Sequence, residues 1–475
     1  FGAGGLIIFV IGGLTGVMVA LAPFDWQAHD TYFVVAHLHY VLIGGMLFPV
    51  VAGIYYYFPF VTGKKLSDAW GKVAFWLMFI GFNVAFMPMH FSGLRGMPRR
   101  VFTYPEEVGW DWFNLISTIG AFIFASGVAT LVIDILRPKP KPAERNLNPW
   151  NAGTLEWTND PDESWGMRSV PIINSRYPLW DQPDLQKNIE EGRYYLPDAK
   201  SGKRETLVTS VLDAEPIQCL RVGGLSYVTI IAALALGGVF IALTFHWWIT
   251  TIVCAIITFV AIIYWLWTGT APIPEEPETD VGLGLKLPIY VSGPASVGWW
   301  AMFITMVGDG TAFASLIFGY FYYWTIHADY TAGAIGPGAF WPMVSLVLFV
   351  AAWGLTVLAR QLNEKGPKGC RWSLVAAMLV TVAACLAGLA GPYMHGMDPT
   401  SNVYPATVWI VAIWAVTHGA VGFIMQAYCL ARSLAGRMTG DYDQDIRNVA
   451  LYWHFMAFTA VVTFGVIGLF PLVIA

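Results

Sequence analysis

Three of the nine histidines in this 475-residue chain, His29, His37 and His39, fall within one stretch, HDTYFVVAHLHYVL, that starts at residue 29. Each residue of an α-helix turns by about 100°, so His37 and His39 point about 200° apart. Two imidazoles so placed cannot chelate one ion; they face different neighbours on opposite sides of one helix. Imidazoles inside a membrane are costly and mark functional sites, and a redox iron is the partner that most naturally takes one imidazole from each side. The short covalent path through Leu38 then joins two iron centres for electron transfer.

His29 precedes His37 by eight residues, which sets it roughly 12 Å nearer the outer helix end and assigns it to a different site. With the adjacent Asp30 it offers one nitrogen and hard oxygens, a partial site for Mg2+ or Mn2+ that keeps several waters. The competing reading is a helix start at which Asp30 acts as the cap. Farther along, HFSGLRGMPRR carries Arg99 and Arg100 side by side. Guanidinium forks bind carboxylates in a bidentate way and stay charged when desolvated. Heme propionates are the anions expected at that level if hemes flank the histidine helix, and plain interfacial anchoring is the alternative. His90, at the head of the same stretch, reads as structural.

The elements that must position these residues are membrane helices. Apolar residues make up 56% of the chain and charged residues 12%, with a mean hydropathy of +0.57, outside the range of ordinary soluble domains. The net charge of −5 gives no sign of a nucleic-acid partner. The five cysteines are scattered, with no CxxC or CxxxC pair, so any metal must be held by His and carboxylates. Windows long enough to cross about 30 Å of hydrocarbon lie at roughly 2–22, 31–58, 71–91, 112–136, 222–245, 248–267, 295–325, 340–360, 372–392, 404–431 and 449–474. That gives eleven predicted spans, with Pro49 and Pro88 expected to kink theirs.

Lys and Arg accumulate in cytoplasmic loops. Alternate loops carry them here: Lys64 and Lys65; Arg137, Lys139 and Lys141; Lys365, Lys368 and Arg371; Arg432, Arg437 and Arg447. The loop with Arg95, Arg99 and Arg100 falls on the predicted outer side, and this exception calls for an anionic partner there. The polar segment 138–221 lies inside and divides the spans four and seven. The expected organisation is an all-α integral membrane fold of about eleven transmembrane helices in two bundles: residues 1–137, a cytoplasmic linker 138–221, and a seven-helix bundle 222–475. The acidic EEPETD, Glu275 to Asp280, reads as a solvated connector.

These motifs resemble a known family. IGGLTGVMVA, HDTYFVVAHLHYVL and HFSGLRGMPRRVFTYPEE are similar to the last four helices of subunit I of the heme-copper oxidases, over residues 1 to about 136. NPWNAGTLEW resembles the cytoplasmic extension of bacterial forms. The HD and TY resemble cytochrome c oxidase, whereas quinol oxidases of the bo type typically have Asn at the position of Asp30. The resemblance implies His37 as the proximal ligand of the high-spin heme that binds dioxygen and His39 as one axial ligand of the low-spin heme. It further implies His29 and Asp30 at a Mg2+ or Mn2+ site near subunit II, and Arg99 and Arg100 as propionate partners. Two hemes, with heme A expected, and Cu-B held by residues outside this chain are its implied cofactors. In the family the copper-ligating histidines, the cross-linked Tyr, the second axial His and the proton-channel residues belong to earlier helices. With Phe rather than Met at position 1, the N-terminal helices of subunit I are expected to be missing from this sequence.

YWHF, Tyr452 to Phe455, and THGAVGFIMQAYCLAR resemble the last two helices of subunit III, so the whole reads as a I–III fusion. In that subunit an acidic residue follows a small one in the third helix. Gly308 and Asp309 in MVGDGTAF take that place, which implies a lipid or proton role for Asp309; a carboxyl bonded to a neighbouring helix is the alternative. His246, His327, His395, His418 and His454 read as structural or packing residues.

The expected activity is four-electron reduction of dioxygen to water by cytochrome c, coupled to proton translocation across a bacterial inner membrane. The expected partners are a copper-binding subunit II, cytochrome c or a cytochrome c domain, phospholipids and a larger respiratory supercomplex. A quinol oxidase of the same superfamily and a non-catalytic heme-binding or structural membrane module are the rivals. A transporter explains two opposed histidines poorly, because substrate sites converge at the midplane.

Overall fold

In lipid, backbone N–H and C=O groups have no water to bond, so a chain this apolar must close them within helices. The computed structural model describes residues 1–137, 139, 148–158, 169–194, 196, 204–222, 226–269, 273, 276–282, 284–327, 330–331 and 335–474. Lys141 and Glu275 lie outside these described residues. Among the described residues ten helices are long and apolar enough to cross a membrane, and the chain is an all-α, multi-pass membrane protein apart from two short β-hairpins. The span expected at 222–245 is a shorter apolar helix of 17 residues, Val228–Thr244. It stops there because His246 takes a left-handed φ of 56° and turns the chain into the next helix, Trp248–Gly269. The chain divides into two compact units, Phe1–Tyr195 and Leu196–Ala475.

The first unit contains α1 (Gly2–Ala20), α2 (Ala22–Ala28), α3 (Tyr32–Leu42), α4 (Phe48–Thr62), α5 (Asp68–Leu94) and α6 (Asp111–Leu136), followed by the short α7 (Pro178–Asp181) and α8 (Leu185–Glu190). A π turn, Ile43–Leu47, joins α3 to α4 in one span, Tyr32–Thr62. There the Phe48 N–H bonds five residues back to the Ile43 carbonyl. Pro49 follows directly and has no N–H to give, and the wide turn accommodates the missing bond. Pro88 lies inside α5, which continues through it. The α5 and α6 pair packs backbone to backbone: a Cβ added to Gly120 would lie 2.2 Å from the Ala85 nitrogen, the small-residue contact that membrane helices use in place of a hydrophobic driving force. Below them, residues 148–158 fold against the ends of α4 and α5. Tyr56 donates to the Glu156 carbonyl at 2.7 Å and Trp150 Nε1 to Asp68 at 3.3 Å.

The second unit opens with β1 (Arg204–Thr209) and β2 (Pro216–Val222), an antiparallel hairpin inside the segment read above as a linker. Then come α9 (Val228–Thr244), α10 (Trp248–Gly269), the hairpin β3 (Glu278–Asp280) and β4 (Lys286–Pro288), α11 (Val297–Ile326), α12 (Phe340–Lys365), α13 (Pro367–Met394), α14 (Val403–Leu434), α15 (Gln444–Gly468) and α16 (Phe470–Ile474). Phe349, Trp453 and Phe464, all fully buried, sit at the centre of its core.

Candidate functional site

His29 and Asp30 lie in the turn between α2 and α3. Asp30 adopts a φ of 57°, a left-handed conformation that Asp tolerates better than most residues. The helix cap is Thr31, not Asp30. Its hydroxyl accepts from the Phe33 N–H at 3.2 Å and donates to the Ala28 carbonyl at 2.6 Å. This turn pairs with the loop after α5: the Tyr32 N–H donates to the Met97 carbonyl at 2.9 Å and the Arg99 N–H to the Asp30 carbonyl at 2.8 Å, around an isolated Thr31–Pro98 bridge. On that frame the Arg99 guanidinium pairs with Asp30 Oδ1, and His29 Nε2 stands 3.3 Å from Asp30 Oδ2. Residues expected in two neighbouring sites thus form one partly exposed cluster. Arg100 is exposed, with a φ of 68°. Among the described residues no three His, Cys, Asp or Glu side chains converge where a metal ion would sit, so His29 and Asp30 remain a two-group set.

The two histidines of α3 face opposite ways. His37 turns to α1, its Nδ1 2.9 Å from the Gly12 carbonyl and 3.1 Å from Thr15 Oγ1. The ring lies flush on that helix, since a Cβ at Gly16 would meet His37 Cε1 at 2.8 Å. His39 bonds through Nδ1 to the Val35 carbonyl at 2.7 Å, and its ring stacks on Phe86 of α5, centroids 4.3 Å apart at 16°. A carbonyl oxygen only accepts, so Nδ1 carries a proton in both rings, and the neutral form of each imidazole then has its lone pair on Nε2. That is the state an imidazole needs to bind a metal, with the carbonyl fixing tautomer and ring orientation. The donor set therefore fits one heme iron on each flank of α3. His90 is buried, edge-on to Phe33 at 5.0 Å and 5.4 Å from Tyr40.

In the second unit Asp309 on α11 has a partner. His418 Nε2 on α14 lies 3.7 Å from Asp309 Oδ2, while its Nδ1 donates to the Trp414 carbonyl at 2.8 Å and its ring stacks on Trp414 at 3.8 Å. This contact spans more than one hundred residues of sequence. His454 on α15 accepts from Trp353 Nε1 on α12 at 2.9 Å, and His395 bonds one turn back to the Gly391 carbonyl at 2.9 Å. The sequence reading also missed Gly12, Thr15 and Gly16. Their signal was the spacing of three and four, which puts them on one face of α1.

Residues 1–123 match the family model described as Cytochrome C and Quinol oxidase polypeptide I. Cytochrome c oxidase subunit 1 of Bacillus subtilis (strain 168) is 47% identical over 174 residues, 36% of this chain and 28% of that protein. The protein of the same name from Bacillus sp. (strain PS3) is 39% identical over 240 residues, 50% of this chain and 36% of its own length. A probable quinol oxidase subunit 1 of Staphylococcus aureus (strain USA300) is 42% identical over 197 residues, 40% of this chain and 28% of that protein. The chain spans 28% to 36% of the length of these curated relatives. Its N-terminal part, which carries His29, Asp30, His37, His39, Arg99 and Arg100, is similar to subunit I of the heme-copper oxidases.

Proposed function

We propose that this chain is part of a terminal respiratory oxidase of a bacterial inner membrane, coupling four-electron reduction of dioxygen to water by cytochrome c to proton translocation. One observation carries the reading: two imidazoles on opposite flanks of α3, each with Nδ1 bonded to a carbonyl and Nε2 left to ligate. His37 would hold the high-spin heme, His39 one side of the low-spin heme, Arg99 and Arg100 the propionates, and His29 with Asp30 a Mg2+ or Mn2+ ion. A bound heme iron would supply the one-electron chemistry and the place for dioxygen, and Cu-B would be held by residues outside this sequence. A copper-binding subunit II and cytochrome c are the proposed partners. Residues 222–475 are proposed to be a subunit III-like bundle in which Asp309, paired with His418, serves lipid or proton handling.

Optical spectra of the assembled complex test the assignment. His37→Ala should abolish the carbon monoxide difference signal of the high-spin heme and spare the low-spin band, with His39→Ala doing the reverse. Unchanged spectra in both variants overturn it. The relative named a probable quinol oxidase supports a second reading, with quinol as donor. Oxidation of reduced cytochrome c by the purified complex, with no quinol turnover, favours the first.

A further inference from the structure

We propose that Thr15 is a positioning residue for His37, setting both the plane of its imidazole and the donor strength of Nε2. The inference rests on His37 ligating an iron. Thr15 Oγ1 donates to the Gly12 carbonyl at 3.0 Å, the back-bond common for Thr in helices. That bond spends the hydroxyl proton, so the oxygen faces His37 Nδ1, 3.1 Å away, with a lone pair. The Nδ1–H is therefore shared between two acceptors of α1, Gly12 O at 2.9 Å and Thr15 Oγ1. Gly16, on the same face, leaves room for the ring, whose edge lies where a Cβ would stand.

Hydrogen bonds accepted from Nδ1–H give an imidazole more imidazolate character and make it a stronger metal ligand. Thr15 acts in two opposed ways. It adds an acceptor, and by donating to Gly12 O it draws on the other one. Polarisation along such a chain changes a bond by about 10–30%, whereas the direct contact is a whole acceptor. The direct effect decides the sign, and Thr15 strengthens the ligand.

The test is resonance Raman of the ferrous high-spin heme in the assembled complex, read on the iron–histidine stretch, together with its midpoint potential. Thr15→Val, which keeps the shape and removes the oxygen, should lower the stretching frequency and raise the potential; Thr15→Ser should restore both toward wild type. Thr15→Ala adds no atom and answers the same question if the Val variant does not assemble. A Val or Ala variant with full heme content and the wild-type frequency and potential overturns the role of Thr15. Absence of any iron–histidine band in the wild type, or its survival in His37→Ala, overturns the ligand reading instead.

Discussion

Arg99 and Asp30 are joined twice, by a main-chain hydrogen bond of 2.8 Å and by their charged side chains. The side chains are 33% and 55% exposed, so solvent screens the ion pair and its own contribution is at most about 1 kcal/mol. The main-chain bonds, which no side-chain change removes, hold the loop after α5 against the start of α3. Asp30→Asn should therefore leave the melting temperature almost unchanged while it removes the anionic oxygen a divalent ion needs. In a complex produced in Mn2+, the electron paramagnetic resonance signal of a bound ion should be lost in Asp30→Asn and weakened in His29→Ala. A full signal in Asp30→Asn rules out the proposed ion site.

At Gly93, α5 packs directly on the main chain of α3. A Cβ there would lie 2.0 Å from the Phe33 nitrogen, and Phe33 is itself buried. The obstacle is main chain, which no rotamer change can move aside, so Gly93→Ala must push α3 outward at its N-terminal end, one turn before His37. Overpacking of this kind costs about 1–3 kcal/mol. The expected result is a thermally weaker complex with less heme per protein, measured by the pyridine hemochrome method. Wild-type heme content and stability in Gly93→Ala would show that the two helices can separate freely.

Asp309 and His418 face each other across α11 and α14 at 3.7 Å. Because His418 Nδ1 is committed to the Trp414 carbonyl, only Nε2 can report on the carboxyl. His418→Gln should shift the infrared carboxyl vibration of Asp309, and the shift should vanish in the Asp309→Asn background. If the difference spectrum of His418→Gln is the same in both backgrounds, the two groups do not interact.

How far the sequence could be read depended on whether a feature is local to one helix. The opposed directions of His37 and His39 follow from the helical turn alone, and the loop at Arg99 stood out by its charge. The bonds that fix each ring divide by the same criterion. Val35, four residues before His39, is dictated by helix geometry, but Gly12 and Thr15 depend on how α1 rolls against α3. Hydrophobic periodicity does not specify that roll, and α1 shows almost no preferred apolar face to reveal it. The same holds for Asp309 and His418. Hydropathy also blurs ends: it carried the fifth window from residue 222, whereas the helix runs Val228–Thr244. The hairpin Arg204–Val222 escaped notice because its strands are short and its alternation is weak.

Asp134 is the clearest case of a charge that the sequence hid inside an apolar run. It is fully buried near the end of α6, where Oδ2 accepts the Ser67 N–H at 3.0 Å and Oδ1 accepts from Arg137 Nε at 2.9 Å. Ser67 caps α5, so one carboxylate satisfies an N–H beside a helix start, where negative charge is favoured, and ties α6 to it. Removing one member of a buried pair costs about 3–5 kcal/mol. Arg137 is 38% exposed and stacks over Trp70 at 5.2 Å, so water and the indole face recover part of the loss. Asp134→Ala should then cost about 2–3 kcal/mol. Asp134→Asn keeps one acceptor for Ser67 and should lose only about 1 kcal/mol. Unfolding of the purified complex in increasing dodecyl sulfate ranks the three proteins, and an Ala variant as resistant as wild type would remove Asp134 as the clamp between α5 and α6.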